Sequence, residues 1–310
     1  MACSARFAIF LCLLVMLPGC STQFTYNRLD WLISWYMDDY IDLDREQKVM
    51  FQQRLEPLLE WHRHEELLGY VQFLEGIEND LESELSAETV SLWVDDITAA
   101  VERVESRMLL LMIDIGSDMS DEQVDDFQEK LWKSQEKYNK KYLARDDAEY
   151  RKDNRESLEK NLRRFMGRLN DSQKETLAKA MEDIQRFDVI WLDDRQQWLH
   201  KLESLLQREP GWQQAILLAH SEREKLRSQQ YRDLFSHNSA VINRAIATVF
   251  NQRNATQDAR LARELARLKE DFAELASQQQ KTNLGQGSNL KRQPGWRYRA
   301  TRPGDEVIRF

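Results

Sequence analysis

One stretch limits the fold more than any other. Val90, Val94, Ile97, Val101, Val104, Met108, Leu111 and Ile115 repeat with strict alternation of four and three residues. A strand has period two and would scatter these side chains over both its faces, whereas a helix lines them along one seam. Shorter ladders repeat the pattern. Leu29, Leu32, Ile33, Tyr36, Met37 and Tyr40 form one face of a first helix, and Leu261, Leu265, Leu268, Phe272 and Leu275 one face of a last. Leu177, Met181, Ile184, Trp191, Trp198, Leu202 and Leu205 read as one further track. Asp188 and Arg195 interrupt it, as an exposed rim or a polar contact. With 5 prolines and 10 glycines in 310 residues, the chain lacks the turn residues a sheet would need. The expected fold is all-α, with long antiparallel helices in an extended bundle.

Helix starts are marked by one local pattern. "LDREQ", "LSAET", "MSDEQ" and "LNDSQ" each place an apolar residue before Asp, Ser or Asn, with Gln or Thr three residues on. This predicts N-caps at Asp44, Ser86, Ser120 and Asn170, with Gln47, Gln123 and Gln173 reaching back as capping boxes. Leu85 with Val90 and Met119 with Val124 would add hydrophobic staples. Pro57 should kink or split its helix near Leu55, and Pro210 should open a new helix.

The N-terminus carries a different message. Arg6 precedes an apolar run from Phe7 to Leu17, too short for the ~20 residues a bilayer-spanning helix needs. A positive start, a short apolar stretch and a small residue before a cut describe an export signal. "LPGC", Leu17 to Cys20, resembles the lipobox of bacterial lipoproteins. That resemblance implies cleavage between Gly19 and Cys20, with diacylglycerol and an N-acyl chain of the palmitate type on Cys20. Pro18 stands where the pattern usually has a small or branched residue. Cys3, Cys12 and Cys20 are the only cysteines, so removal of residues 1–19 leaves one thiol and no disulfide framework. Ser21 rather than Asp after the cysteine resembles the pattern sorted to the outer membrane. The domain plan expected is a signal peptide over 1–19, a helical body over 20–280 and a basic flexible tail over 281–310.

Charge divides the last two. Without Arg6 the formal charge of −9 becomes −10, and seven basic residues against Asp305 and Glu306 give the tail about +5, leaving the body near −15. An acidic body argues against nucleic acid, whose phosphates need Lys and Arg. The tail mixes Arg292, Trp296, Arg297, Tyr298, Arg299 and Arg302, which suits an anionic glycan or lipid headgroup surface. The equal alternative is a tail folded back on the acidic body.

"YNRLDWLISWYMDDYIDLDREQ", Tyr26 to Gln47, and "WHRHEELLGYVQFL", Trp61 to Leu74, are similar to a family of uncharacterised Gram-negative lipoproteins defined only as a domain of unknown function. The resemblance extends over essentially the whole of residues 20–310. It implies an all-α fold and an envelope compartment, and no active site. The four helix starts also bear a likeness to helical periplasmic chaperones with a Leu-Thr-x-x-Gln motif, although none has Thr in second place.

Chemistry is sparse. His62 and Glu66 share a helix face, as two metal ligands must, while His64 points elsewhere. Two ligands do not close a site, and His200, His220 or His237 would have to supply more from other helices. The alternative packs Trp61 and His62 between helices and leaves Arg63, Glu65 and Glu66 to water or ion pairs. The aspartate pairs 38–39, 95–96, 125–126, 146–147 and 193–194 diverge by about 100° on a helix and so do not converge on one atom. No Gly-rich phosphate loop and no G-x-S-x-G elbow occur. No enzyme activity and no cofactor besides the lipid are expected. The expected role is a non-catalytic protein-binding or scaffold component, lipid-anchored in the outer-membrane inner leaflet, facing the periplasm. An ATP-independent holdase with Met- and aromatic-lined grooves is the alternative, and a metal protein or enzyme centred on His62 and Glu66 the third.

Overall fold

The computed structural model describes residues 21–278, and every regular element among them is a helix. In chain order these are α1 (Ser21–Tyr26), α2 (Leu29–Asp38), α3 (Arg45–Trp61), a π-helical turn (His62–Glu66), α4 (Leu67–Asp80), α5 (Ala87–Asp118), α6 (Asp121–Leu143) and α7 (Asp147–Met166). They continue as α8 (Asp171–Asp183), α9 (Asp188–Leu205), α10 (Trp212–Ser221), α11 (Arg223–Leu226), α12 (Gln229–Asn251) and α13 (Ala255–Ser277). Gly19, Cys20 and the tail residues Arg292, Trp296, Arg297, Tyr298, Arg299 and Arg302 lie outside the described residues.

The caps form as their chemistry requires. Asp44 accepts from the Glu46 and Gln47 amides while Gln47 returns to the Asp44 amide, and Ser120–Gln123 and Asn170–Gln173 close the same box. Ser86 caps through the Thr89 amide. Two further boxes, Asp146–Glu149 and Asn254–Gln257, follow Arg145 and Arg253 rather than an apolar residue.

The box glutamines also meet in pairs. Gln47 and Gln123 donate to each other's Oε1 at 3.0 and 2.7 Å. Each also donates across to the chain entering the other's helix, Gln47 to the Asp118 carbonyl and Gln123 to that of Asp42. Gln173 and Gln257 repeat the exchange, with the carbonyls of Val249 and Arg168 as further acceptors. A side chain that closes its own helix therefore also clamps a second helix start to the first.

The helices pack antiparallel. α5 is the central rod, 32 residues and about 48 Å long. At its start, the Asn251 side chain pairs both backbone groups of Leu85, which ties it to the end of α12. At its end Asp118 meets Arg54 and at its middle Arg103 meets Glu66, so α3 and the π turn run back along it. Tyr70 touches Phe272 where α4 pairs with α13, and Trp191 stands edge-on to Tyr138 and Tyr142 where α9 pairs with α6. Ile33, Leu67, Val104, Leu177, Val249 and Leu275 lie within one continuous core.

Four local expectations are corrected. α3 is not split near Leu55 and runs through Pro57 to Trp61. Pro57 and Gln53, four residues before it, are both exposed, so the carbonyl left without its N–H partner belongs to a residue on the solvent side. Pro210 does not open a helix; α10 starts at Trp212 behind Gly211, whose φ of 88° is a left-handed turn open to glycine. The track from Leu177 to Leu205 is two helices. Between them the Asn238 side chain pairs both the N–H and the C=O of Gln185, and the Tyr150 hydroxyl accepts from the Phe187 amide. The seam of α5 also opens in its middle, where Ile97 is exposed and Val94 and Val101 are half-buried.

Candidate functional site

Two features stand out, a buried polar turn and an apolar cavity. The turn is the π-helical run His62–Glu66, in which the Leu67 amide reaches back to the His62 carbonyl. Widening the turn brings three polar neighbours inward together: His62, Arg63 and Glu66 are all buried. Arg63 thus departs from its expected place in water or an ion pair. It donates to the Leu275 carbonyl and to Asn27, with its guanidinium over the Tyr26 ring. His64, exposed, contacts the Ala276 carbonyl at 3.0 Å. The turn therefore ties the end of α13 to the loop after α1. Glu65 stays exposed and accepts from Trp61 Nε1.

His62 is held at both ring nitrogens. The Tyr26 hydroxyl lies 2.8 Å from Nδ1 and that of Tyr70 3.3 Å from Nε2. Burial, helped by the adjacent Arg63 charge, pushes the imidazole down to about 3. Burial raises the Tyr26 hydroxyl, against the pull of Arg63. At neutral pH the ring is uncharged, so one nitrogen donates and the other accepts. Glu66 makes a two-pronged ion pair with Arg103, at 2.7 and 2.8 Å.

The two weak metal candidates, His62 and Glu66, thus share a buried wall, but each is occupied by protein partners. The other histidines are held elsewhere, His200 against Trp132 and His237 at the Asp183 carbonyl. Among the described residues no group of three or more His, Cys, Asp and Glu stands close enough to hold a metal ion. The aspartate pairs are exposed, except Asp194, which faces Arg223 and Arg227. Asp188 and Arg195, the interruptions of the apolar track, are buried polar contacts: Asp188 lies between Arg145 and Arg186, and Arg195 donates to Gln135.

The cavity lies where α2, α5, α6, α9 and α10 meet. It holds about 100 Å³ and is lined by Met37, Met108, Met112, Met119, Phe127, Trp198 and Trp212 among others. Gly116 also borders it, with a built Cβ only 3.2 Å from the Trp212 ring, so glycine allows that ring to sit close. Methionine is flexible and polarisable, and such a lining adapts to apolar shapes. No set of convergent polar groups accompanies it, so it is suited to holding apolar groups rather than to acid–base chemistry. A second cleft of about 240 Å³ lies beside the opened seam of α5, between Ile97, Leu158, Phe165, Ile246 and Phe250. Neither was legible beforehand, because each is lined by helices far apart in the chain. Met108 and Met112, four residues apart in α5 with Met119 just beyond it, were an available signal.

Comparison with known proteins places the chain in a family. Residues 39–232 match a family of unknown function, DUF6279, and the chain belongs to it. The match is narrower than the whole of residues 20–310 expected from the resemblance, and begins after α2. No curated protein and no solved structure matches the chain.

Proposed function

We propose that this chain is a lipoprotein of the bacterial envelope that acts as a non-catalytic, protein-binding scaffold. In this reading Cys20 becomes the first residue after cleavage at Gly19 and carries the acyl chains, and the body faces the periplasm from the inner leaflet of the outer membrane. The observation that carries it is how soon the body begins. Thr22 is buried, Gln23 donates to Asp271 and Glu274, and Tyr26 reaches His62. The fold is built in from two residues past the lipobox, so an anchor at Cys20 would be followed by almost no linker in sequence before the body. No described helix is long and apolar enough to cross a membrane. Each acyl methylene that enters the bilayer contributes roughly 0.8 kcal/mol, and three chains hold firmly.

Membrane fractionation of wild-type and Cys20→Ser protein tests this reading. Wild-type protein should be found in the outer-membrane fraction and the variant in the soluble periplasm. In-cell crosslinking should then recover one dominant partner that the variant loses.

The methionine-lined cavity favours a second reading, a holdase for unfolded envelope proteins. Suppressed aggregation of several unrelated denatured clients, lost on filling the cavity with Met112→Trp, would support it over the scaffold.

A further inference from the structure

One line of side chains does not serve the core. Phe24 on α1, Arg28 in the turn that follows, and Trp31 and Trp35 on α2 follow each other at four, three and four residues. Phe24 is 62% exposed, Trp31 59% and Trp35 40%. The Arg28 guanidinium sits 4.7 Å over the Phe24 ring, and the Trp31 and Trp35 rings stack at 6.3 Å. The opposite face of α2, Leu29, Ile33 and Met37, is fully engaged in the core. The helix is therefore held in place without its tryptophans, which cost solvent exposure of large apolar surface.

Position identifies what meets this stripe. Phe24 is four residues from Cys20, at most about 14 Å of extended chain. The other end of the described chain is at the same place: Asn27 donates to the Gln278 side chain, and the basic tail continues from there. A body near −15 is repelled on the whole by an anionic surface, and Arg28 puts a cation within the stripe. Of the nearby acids, Asp38 pairs with Lys48, Asp271 and Glu274 hold Gln23 and Asp30 is half-buried, while Asp39 is exposed at the far end of α2. Tryptophan and arginine are the side chains that settle at a headgroup layer, with apolar bodies and polar tips.

We propose that the Phe24–Arg28–Trp31–Trp35 stripe is a membrane-docking face, which seats the body in the headgroup layer of an anionic phospholipid bilayer. The proposal rests on the lipid-anchor reading. Anchoring at Cys20 supplies the effective concentration, and the stripe fixes which end of the body lies down.

The test uses full-length lipidated protein with Trp296→Phe, which removes the tail's own tryptophan, in phosphatidylethanolamine/phosphatidylglycerol vesicles with brominated acyl chains. Mass spectrometry of the N-terminal peptide is read on the same sample. The expected result is a lipidated Cys20 peptide and bromine quenching that mostly disappears in Trp31→Phe/Trp35→Phe, with melting unchanged. A lipidated peptide with the same quenching in both proteins would overturn the docking face and leave the anchor standing. An unmodified Cys20 peptide would overturn both.

Discussion

At His62 an imidazole with no solvent contact keeps both nitrogens paired, and the cost of charging it there sets a pH dependence. Its folded pKa lies well below the usual 6.5, at about 3. The unfolded chain therefore binds the extra proton first as pH falls, and stability rises with pH across that window. Stability should be complete above about pH 6.5 and fall progressively toward pH 3. Urea titrations of His62→Gln should show a loss of about 1–3 kcal/mol at pH 7, since a tyrosine hydroxyl loses its partner, together with a flatter acid limb. An acid limb as steep as wild type would show that another group sets it. Asp188 poses the converse problem. It is the shared anion between Arg145 and Arg186, and Asp188→Ala leaves guanidinium charge partly buried. A loss of about 3 kcal/mol is expected, read from the shift in urea midpoint.

The helix is the scale at which the sequence was most legible. Asp44, Ser120 and Asn170 were readable as caps because a short acceptor and a glutamine three residues on have one local use. Asn254 was missed because Arg253 stands where an apolar residue was sought, and Arg253 instead donates to the Leu81 carbonyl and pairs with Asp258. The end of α8 was missed for lack of any Gly or Pro near Ile184; Asn238, more than 50 residues on, supplies the bonds that make the break tolerable. Arg63 was assigned to water or an ion pair because its acceptor, the end of α13, is over 200 residues away. Periodicity reports which face is apolar, but not which helix end will need a donor. The pairing of Gln47 with Gln123 was equally invisible, and it makes a prediction. Each single change to Ala should cost about 1–2 kcal/mol, and the double change clearly less than the sum, because the two amides share hydrogen bonds. Strict additivity in urea unfolding would mean that the boxes act only within their own helices.

For the whole molecule the organising fact is that its two described ends meet. Arg63 and His64 hold Leu275 and Ala276, while Asn27 and Gln23 reach Gln278, Asp271 and Glu274. A body closed in this way brings both ends of the described chain to one end of the bundle. Membrane attachment is the claim on which the rest of this account depends. The most direct measurement is the mass of the N-terminal peptide of the mature protein, isolated from cell envelopes. The account predicts a peptide that begins at Cys20 and carries a diacylglyceryl group and an N-linked acyl chain. A peptide that begins elsewhere, or an unmodified Cys20, would contradict it.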